Sequence, residues 1–277
     1  HTVILSGVRR AGKSVLMQQL AGWLIEEQKV PPQNVVYLFL EDIQVSQYLK
    51  LGADLLESLY TYYLERYNPQ GRVYLFLDEI QGVKDFNRWI ASRYERKENI
   101  KFLISGSRRS LVEAESATVL TGRNVQIDIY PFNFYEYLLV HNVEVRGEAT
   151  AQSIWDLNFS RQISILHHLG NYLYEGGYPE IVLAKSETEK RAIASGYYRD
   201  SVTRDVLMPN NLRNGRDVEV LGLQILSDFT KTHTLSSLSK PNKLSVDTFK
   251  YYLEYFTKAY LFFESNYYSN KTKETQD

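Results

Sequence analysis

The strongest constraint on the fold lies at the start of the chain. Residues 2–20 read TVILSGVRRAGKSVLMQQL. An apolar run of strand length leads into Gly7 and Gly12, which bracket four residues. Lys13 and Ser14 follow at once, and then a helical apolar period begins. The pattern G-x-x-x-x-G-K-[ST] arises by chance in a chain this long only about 1% of the time at average residue frequencies. Strand before and helix after are the setting it requires. Backbone N–H groups of such a loop, with the helix N-terminus, point at phosphate oxygens. Gly7, Val8, Arg9, Arg10, Ala11, Gly12, Lys13, Ser14 and Val15 are therefore the candidate nucleotide-binding residues. Lys13 reaches the outer phosphates, and the Ser14 hydroxyl is a Mg²⁺ ligand. Arg9 and Arg10 are not required by the pattern, so they are solvated or touch a neighbour or the nucleotide.

A loop of this kind needs a parallel sheet behind it, and the first half of the chain supplies one. Apolar runs at VVYLFLE, RVYLFLDE, IKFLISGS and NVQIDIYPF alternate with helical patterns at ADLLESLYTYYLERY and DFNRWIASRYERK. Nearly continuous apolar strands alternating with helices imply a parallel sheet covered on both faces. The first helix carries Leu16, Leu20, Trp23 and Leu24 on one expected face. The alternation stops near Pro131, and the remainder reads mainly helical, with Ser245 as the N-cap of a last helix over 245–265. The segment 141–152 reads as a loose polar connection and the tail SNKTKETQD as fraying.

The third strand ends in Asp78 and Glu79, at the edge where ligands bind in open parallel sheets. Asp78 is the second candidate Mg²⁺ ligand. Glu79, one residue on, is the candidate general base that polarises the attacking water. An acidic pair that merely opens a solvated turn is the bland alternative, and the nearby phosphate loop weighs against it. Ser105, ending the fourth strand, is placed to contact the γ-phosphate or the water, with a strand-end cap as its alternative. No Asn-Lys-x-Asp run follows a strand, which favours ATP over GTP.

Bulk composition bounds the rest. The 277 residues suit two or three domains, and 44% hydrophobic content is enough for real cores. With 32 basic and 33 acidic residues, the net charge of −1 argues against a broad DNA-coating surface. The absence of cysteine rules out disulfides and thiolate metal sites, and the five histidines show no metal spacing. No apolar run approaches a membrane span and no signal peptide is visible, so no membrane partner and a cytoplasmic location are expected. The start, almost inside a strand, reads as an excerpt of something longer.

Taken together, SGVRRAGKSVL, LFLDEIQGVKDF, FLISGS, LTGR, YPFNFYEYL, GGYPEIV and YRDSVTRDVL resemble the AAA+ superfamily. More narrowly, they resemble prokaryotic AAA-like ATPases that carry a winged-helix region and often a nuclease-like domain. The resemblance implies an AAA+ type P-loop α/β domain over 1–132, an α-helical lid over 133–212 and a winged-helix-like domain over 213–277. It implies Mg²⁺-dependent ATP hydrolysis. Arg123 then sits where an arginine finger would serve a neighbouring subunit, implying a homo-oligomer; a salt-bridged residue at a strand entrance is the equal alternative. Pro179 in GGYP would pack near the adenine, or is an ordinary helix break; Arg199 and Arg204 are weaker lid candidates. Lys240, Lys243 and Lys250, with Tyr251, Tyr252 and Tyr255, would face DNA or a protein partner. The nuclease-like end has no counterpart here. Two further readings stay open: a nucleotide-gated binding switch with little turnover, and a small-molecule kinase, for which no acceptor motif is visible.

Overall fold

The computed structural model describes residues 1–107, 122–143, 159–212, 214–228, 231 and 233–265. Five parallel strands form one sheet: β1 (Thr2–Ser6), β2 (Val35–Phe39), β3 (Val73–Asp78), β4 (Ile100–Gly106) and β5 (Asn124–Asp128). Their order across the sheet is β2-β3-β4-β1-β5. The three central strands are almost wholly buried, which is why they read as unbroken apolar runs. The edges differ. Phe39 on β2 and Val125 and Ile127 on β5 are exposed.

Helices α1 (Lys13–Glu26), α2 (Ile43–Ser46), α3 (Ala53–Tyr67) and α4 (Phe86–Glu95) cross over between the strands. One core lies between the sheet and α3 and α4, built on Leu56, Tyr60, Leu75, Leu77, Trp89, Ile90 and Phe102. A second lies under α1, where Met17 and Leu24 meet Leu5, Phe76 and Leu103. Trp23, expected on the inner face of α1, is 48% exposed. The buried stripe runs through Met17 instead.

Beyond β5 the described residues are helical: α5 (Phe134–Val140), α6 (Phe159–Glu175), α7 (Pro179–Leu183), α8 (Glu187–Ser201), α9 (Gly215–Ser227), α10 (Leu235–Ser239) and α11 (Val246–Lys258). A π-helical segment, Val202–Leu207, continues α8. Val202 and Val206 in that segment share a core with Val218, Leu221, Phe249, Phe256 and Ala259. That core therefore runs through the expected boundary at 212/213. Ser245 caps α11 by accepting the Thr248 N–H at 3.0 Å. The helix stops at Lys258 rather than near 265, because Tyr260 turns the backbone to a φ of +58°.

The pair α10 and α11 with its intervening turn is helix-turn-helix in outline. No β-strand that could serve as a wing occurs among the described residues of 213–277. Lys240, Lys243 and Lys250 are exposed. Tyr251 is exposed, whereas Tyr252 and Tyr255 pack against the helical core. Most of 141–152 and all of the tail lie outside the described residues.

Candidate nucleotide site at the strand ends

The loop after β1 turns through three unusual backbone states. Gly7 has φ +147°, Arg10 +65° and Gly12 +103°. The two glycines are required for different reasons. A Cβ on Gly7 would stand 1.9 Å from the carbonyl oxygen of Ile129, where the chain leaves β5. A Cβ on Gly12 would meet nothing within 4 Å, so the space before the helix N-terminus is open. Gly12 immediately precedes α1, whose first N–H groups are free to face an anion.

Lys13 is buried at 3% exposure, and its ammonium folds back over the loop. It donates to the carbonyls of Gly7 at 2.9 Å and Val8 at 3.0 Å, and lies 3.9 Å from Glu79 Oε1. Burial lowers its pKa below that of an ordinary lysine, and Glu79 opposes the shift. Ser14 is half-buried, whereas Val15 is 56% exposed.

The acidic pair faces this lysine from the end of β3. Asp78 is fully buried. One of its carboxylate oxygens accepts the Ser105 hydroxyl, and the other accepts the Tyr37 hydroxyl from β2. The side chains of Ser14 and Gln18 lie near the same hydroxyl and act to lower its pKa. Tyr37 thus stands between the two candidate metal ligands, Ser14 and Asp78. Its burial, then its bond to Asp78, raise its phenol well above the usual range. Sequence reasoning missed Tyr37. It sits amid VVYLFLE, where a tyrosine reads as core, and only the neighbouring of β2 and β3 brings it to Asp78.

Glu79 adopts a left-handed backbone, φ +56° and ψ +52°. That conformation is uncommon for a residue with a side chain and clusters at functional sites. The Ser105 hydroxyl holds it by accepting the Glu79 N–H at 3.0 Å. Burial raises the Glu79 carboxyl above its ordinary value, while Lys13 and Gln81 pull it down. Ser105 lies on β4, between β3 and β1. In this structure its hydroxyl serves both acidic residues.

The oxygen donors at this corner fit a hard divalent cation. Mg²⁺ takes one or two protein oxygens and completes its shell with phosphates and water. Ser14 and Asp78 are such a pair, and a carboxylate oxygen with one donor keeps an acceptor position. Among the described residues, no group of three or more His, Cys, Asp or Glu could hold a metal by itself.

The loop arginines are committed elsewhere. Arg9 Nε donates to Asp205 at 2.9 Å, and its terminal nitrogens grip Glu41 at 3.0 and 3.2 Å. Burial alone would lower its pKa, but Glu41 and Asp205 outweigh that and raise it. Arg10 pairs with Asp200 at 3.2 Å and lies over the Tyr197 ring at 4.5 Å. Arg204 lies 3.6 Å from Glu41, and the exposed Arg199 pairs with Glu219.

Arg123 is exposed, and its carbonyl accepts the Thr2 N–H. It stands at the entrance of β5, the sheet edge opposite the loop. A five-residue strand of about 16 Å separates the two edges. Pro179 is the first residue of α7. The preceding Tyr178 packs with Val8 and Ala11 of the loop, and burial pushes its phenol up to about 12.

A P-loop on a parallel sheet of order β2-β3-β4-β1-β5, followed by a helical region, defines an AAA+ type P-loop protein. Residues 1–138 match the family described as "AAA domain". Residues 166–277 match a "Domain of unknown function (DUF8612)". The chain is 29% identical over 275 residues to the uncharacterized protein MJ1544 of Methanocaldococcus jannaschii, covering 98% of this chain and 57% of that protein. It is 29% identical over 277 residues to an uncharacterized protein of Haemophilus influenzae, covering 98% and 63%. It thus spans less than two thirds of either relative. Among solved structures, the Aeropyrum pernix ORC1 protein in complex with DNA aligns at TM-score 0.39 and 12% identity, over 93% of this chain and 77% of that one. C. elegans PCH-2 aligns at 0.34 and 16%, over 91% and 61%. Likenesses this loose carry no function across.

No helix among the described residues is long and apolar enough to cross a membrane.

Proposed function

We propose that the chain binds ATP with Mg²⁺ at the loop 7–15 and hydrolyses it. One observation carries this reading: Lys13, at the helix start, and Glu79, at the end of β3, converge to 3.9 Å beside an open loop mouth. The cation suits the outer phosphates, and the buried carboxylate suits the attacking water.

In this reading the loop N–H groups and the α1 N-terminus bind the phosphate oxygens. Lys13 leaves the carbonyls of Gly7 and Val8 and turns to the β- and γ-phosphates. Ser14 and Asp78 would hold Mg²⁺, which would supply positive charge to offset that of the phosphates. Glu79 takes a proton from the attacking water, and Ser105 keeps Asp78 and Glu79 in register. Arg123, exposed at the end of β5 opposite the loop, would serve a neighbour's nucleotide in a homo-oligomer. Tyr178 packs on the loop beside Val8 and Ala11, and Pro179, which follows it, is the candidate neighbour of the base.

The C-terminal helices couple this cycle to DNA or a protein partner, with Lys240, Lys243 and Lys250 on the exposed face. A switch with little turnover is favoured by one fact: Lys13, Arg9 and Arg10 are already engaged by protein oxygens. Steady-state phosphate release, measured with and without duplex DNA, separates the two. Sustained release that depends on Mg²⁺ supports the hydrolase, and stimulation by DNA supports DNA coupling. Tight nucleotide retention with release near background supports the switch. Transfer to an acceptor other than water would contradict both.

A further inference from the structure

All four variable residues of the loop G-V-R-R-A-G are docked onto the region 166–277. Val8 and Ala11 are buried with Tyr260, and Tyr178 packs against the same cluster. Arg9 holds Asp205 through Nε, and Arg10 reaches Asp200, the Tyr197 ring and, at 3.6 Å, Glu180. Asp205 is 4% exposed, and it also accepts the hydroxyl of Ser107, one residue beyond β4, at 2.9 Å. Tyr260 is anchored in turn, donating to Asp128 at the end of β5 at 2.9 Å.

We propose that the region 166–277 is a nucleotide-responsive module that reads the phosphate loop from its outer face, with Asp205 as the principal positioning residue acting through Arg9. This rests on the nucleotide reading above and deepens it.

The inner and outer faces of an eight-residue loop cannot move independently. Its left-handed turn lies at Arg10, the second of the two adjacent arginine anchors. An Arg fork spent on two carboxylates fixes the backbone that carries it, in direction as well as distance. Phosphates on the inner face need that same backbone, with its N–H groups converged. Docking outside and phosphate inside therefore favour one loop conformation, and each stabilises the other by the same factor. The π-helical turn Val202–Leu207 is part of the device. It carries Asp205 to Arg9 while Val202 and Val206 stay in the core with α9 and α11. A change at the loop is thus passed directly to the helices with the exposed lysines.

The test combines hydrogen exchange with nucleotide binding on the 277-residue chain, using a non-hydrolysable ATP analogue and Mg²⁺. In the wild type, the analogue should slow exchange across 7–14 and also, at least threefold, across 197–207. Asp205→Asn keeps the shape and the Ser107 hydrogen bond but removes the charge facing Arg9. It should weaken analogue binding about tenfold and abolish the response at 197–207. Asp200→Asn, at a surface pair, should weaken binding about threefold. Lys231→Ala, which breaks an exposed pair with Asp228 outside the loop and outside 197–207, should change neither. Protection of 7–14 without any response at 197–207 overturns the proposal, and this readout needs no variant to fold. So does analogue binding within twofold of wild type in Asp205→Asn. Absence of analogue binding to the wild type overturns the nucleotide reading itself.

Discussion

The Ser105 hydroxyl on β4 accepts the backbone N–H of Glu79, at the end of β3, at 3.0 Å. The same hydroxyl donates to the Asp78 carboxylate. One side chain on the neighbouring strand thus sets the candidate base and the candidate metal ligand. Ser105→Ala leaves a buried N–H without a partner, a loss of about 1–3 kcal/mol. Spent at the reacting centre, that is roughly a ten- to hundredfold fall in kcat, with nucleotide affinity changed less. Parallel measurement of kcat and nucleotide Kd checks this; an unchanged kcat would remove Ser105 from the site.

The two loop glycines should fail differently. Gly7→Ala drives a Cβ into the Ile129 carbonyl, so the strand ends must part. A loss of about 3 kcal/mol, several degrees in Tm, is expected. Gly12→Ala meets open space and strains only its own backbone, at about 1 kcal/mol. In the proposed site Gly12 belongs to the phosphate-binding loop, so nucleotide affinity should fall more than stability. Thermal unfolding and equilibrium binding on both variants test the contrast, and equal Tm losses would refute it.

Much of this was legible in the sequence. The apolar runs, their alternation with helices and the strand–loop–helix at the start give the parallel sheet and place Lys13, Ser14, Asp78 and Glu79 at one edge. The resemblance supplies the AAA+ class. What the sequence hides is long-range pairing. Arg9 looks idle in the loop until Asp205, 196 residues away, closes on it. Tyr37 looks like core until β2 lies beside β3. The early stop of α11 is hidden too, because KAYLFFES continues the apolar pattern and only the positive φ at Tyr260 breaks it.

Tyr37→Phe should tighten the response to Mg²⁺. The Tyr37 hydroxyl donates to an oxygen of Asp78, the carboxylate proposed to hold the cation. Removing that donor leaves an oxygen of the buried Asp78 without its partner, a stability cost of about 1–3 kcal/mol in the free protein, while the ring keeps its stacking on Phe76. Half-saturating Mg²⁺ for nucleotide binding should fall about two- to fivefold, consistent with one hydrogen bond of about 1 kcal/mol. A Mg²⁺ titration of binding checks it, and a weaker response would show that Tyr37 supports the cation site.

The pH dependence follows from Glu79. Burial raises its pKa above the ordinary 4.5. A general base must be ionised, so kcat/KM, which reports the free enzyme, should rise with pH on an acid limb whose midpoint lies above 4.5. The same shift has a sign for stability. The Glu79 contribution is fully present below its unfolded value and is lost as pH rises through the folded one. A kcat/KM–pH profile with no acid limb above 4.5 would contradict this assignment.

The central claim is that this corner hydrolyses Mg·ATP with Glu79 as the base. The most direct measurement is phosphate release and ATP binding by Glu79→Gln beside the wild type. The account predicts ATP affinity within about threefold of wild type and turnover lowered about a hundredfold or more. Wild-type turnover in Glu79→Gln would contradict it.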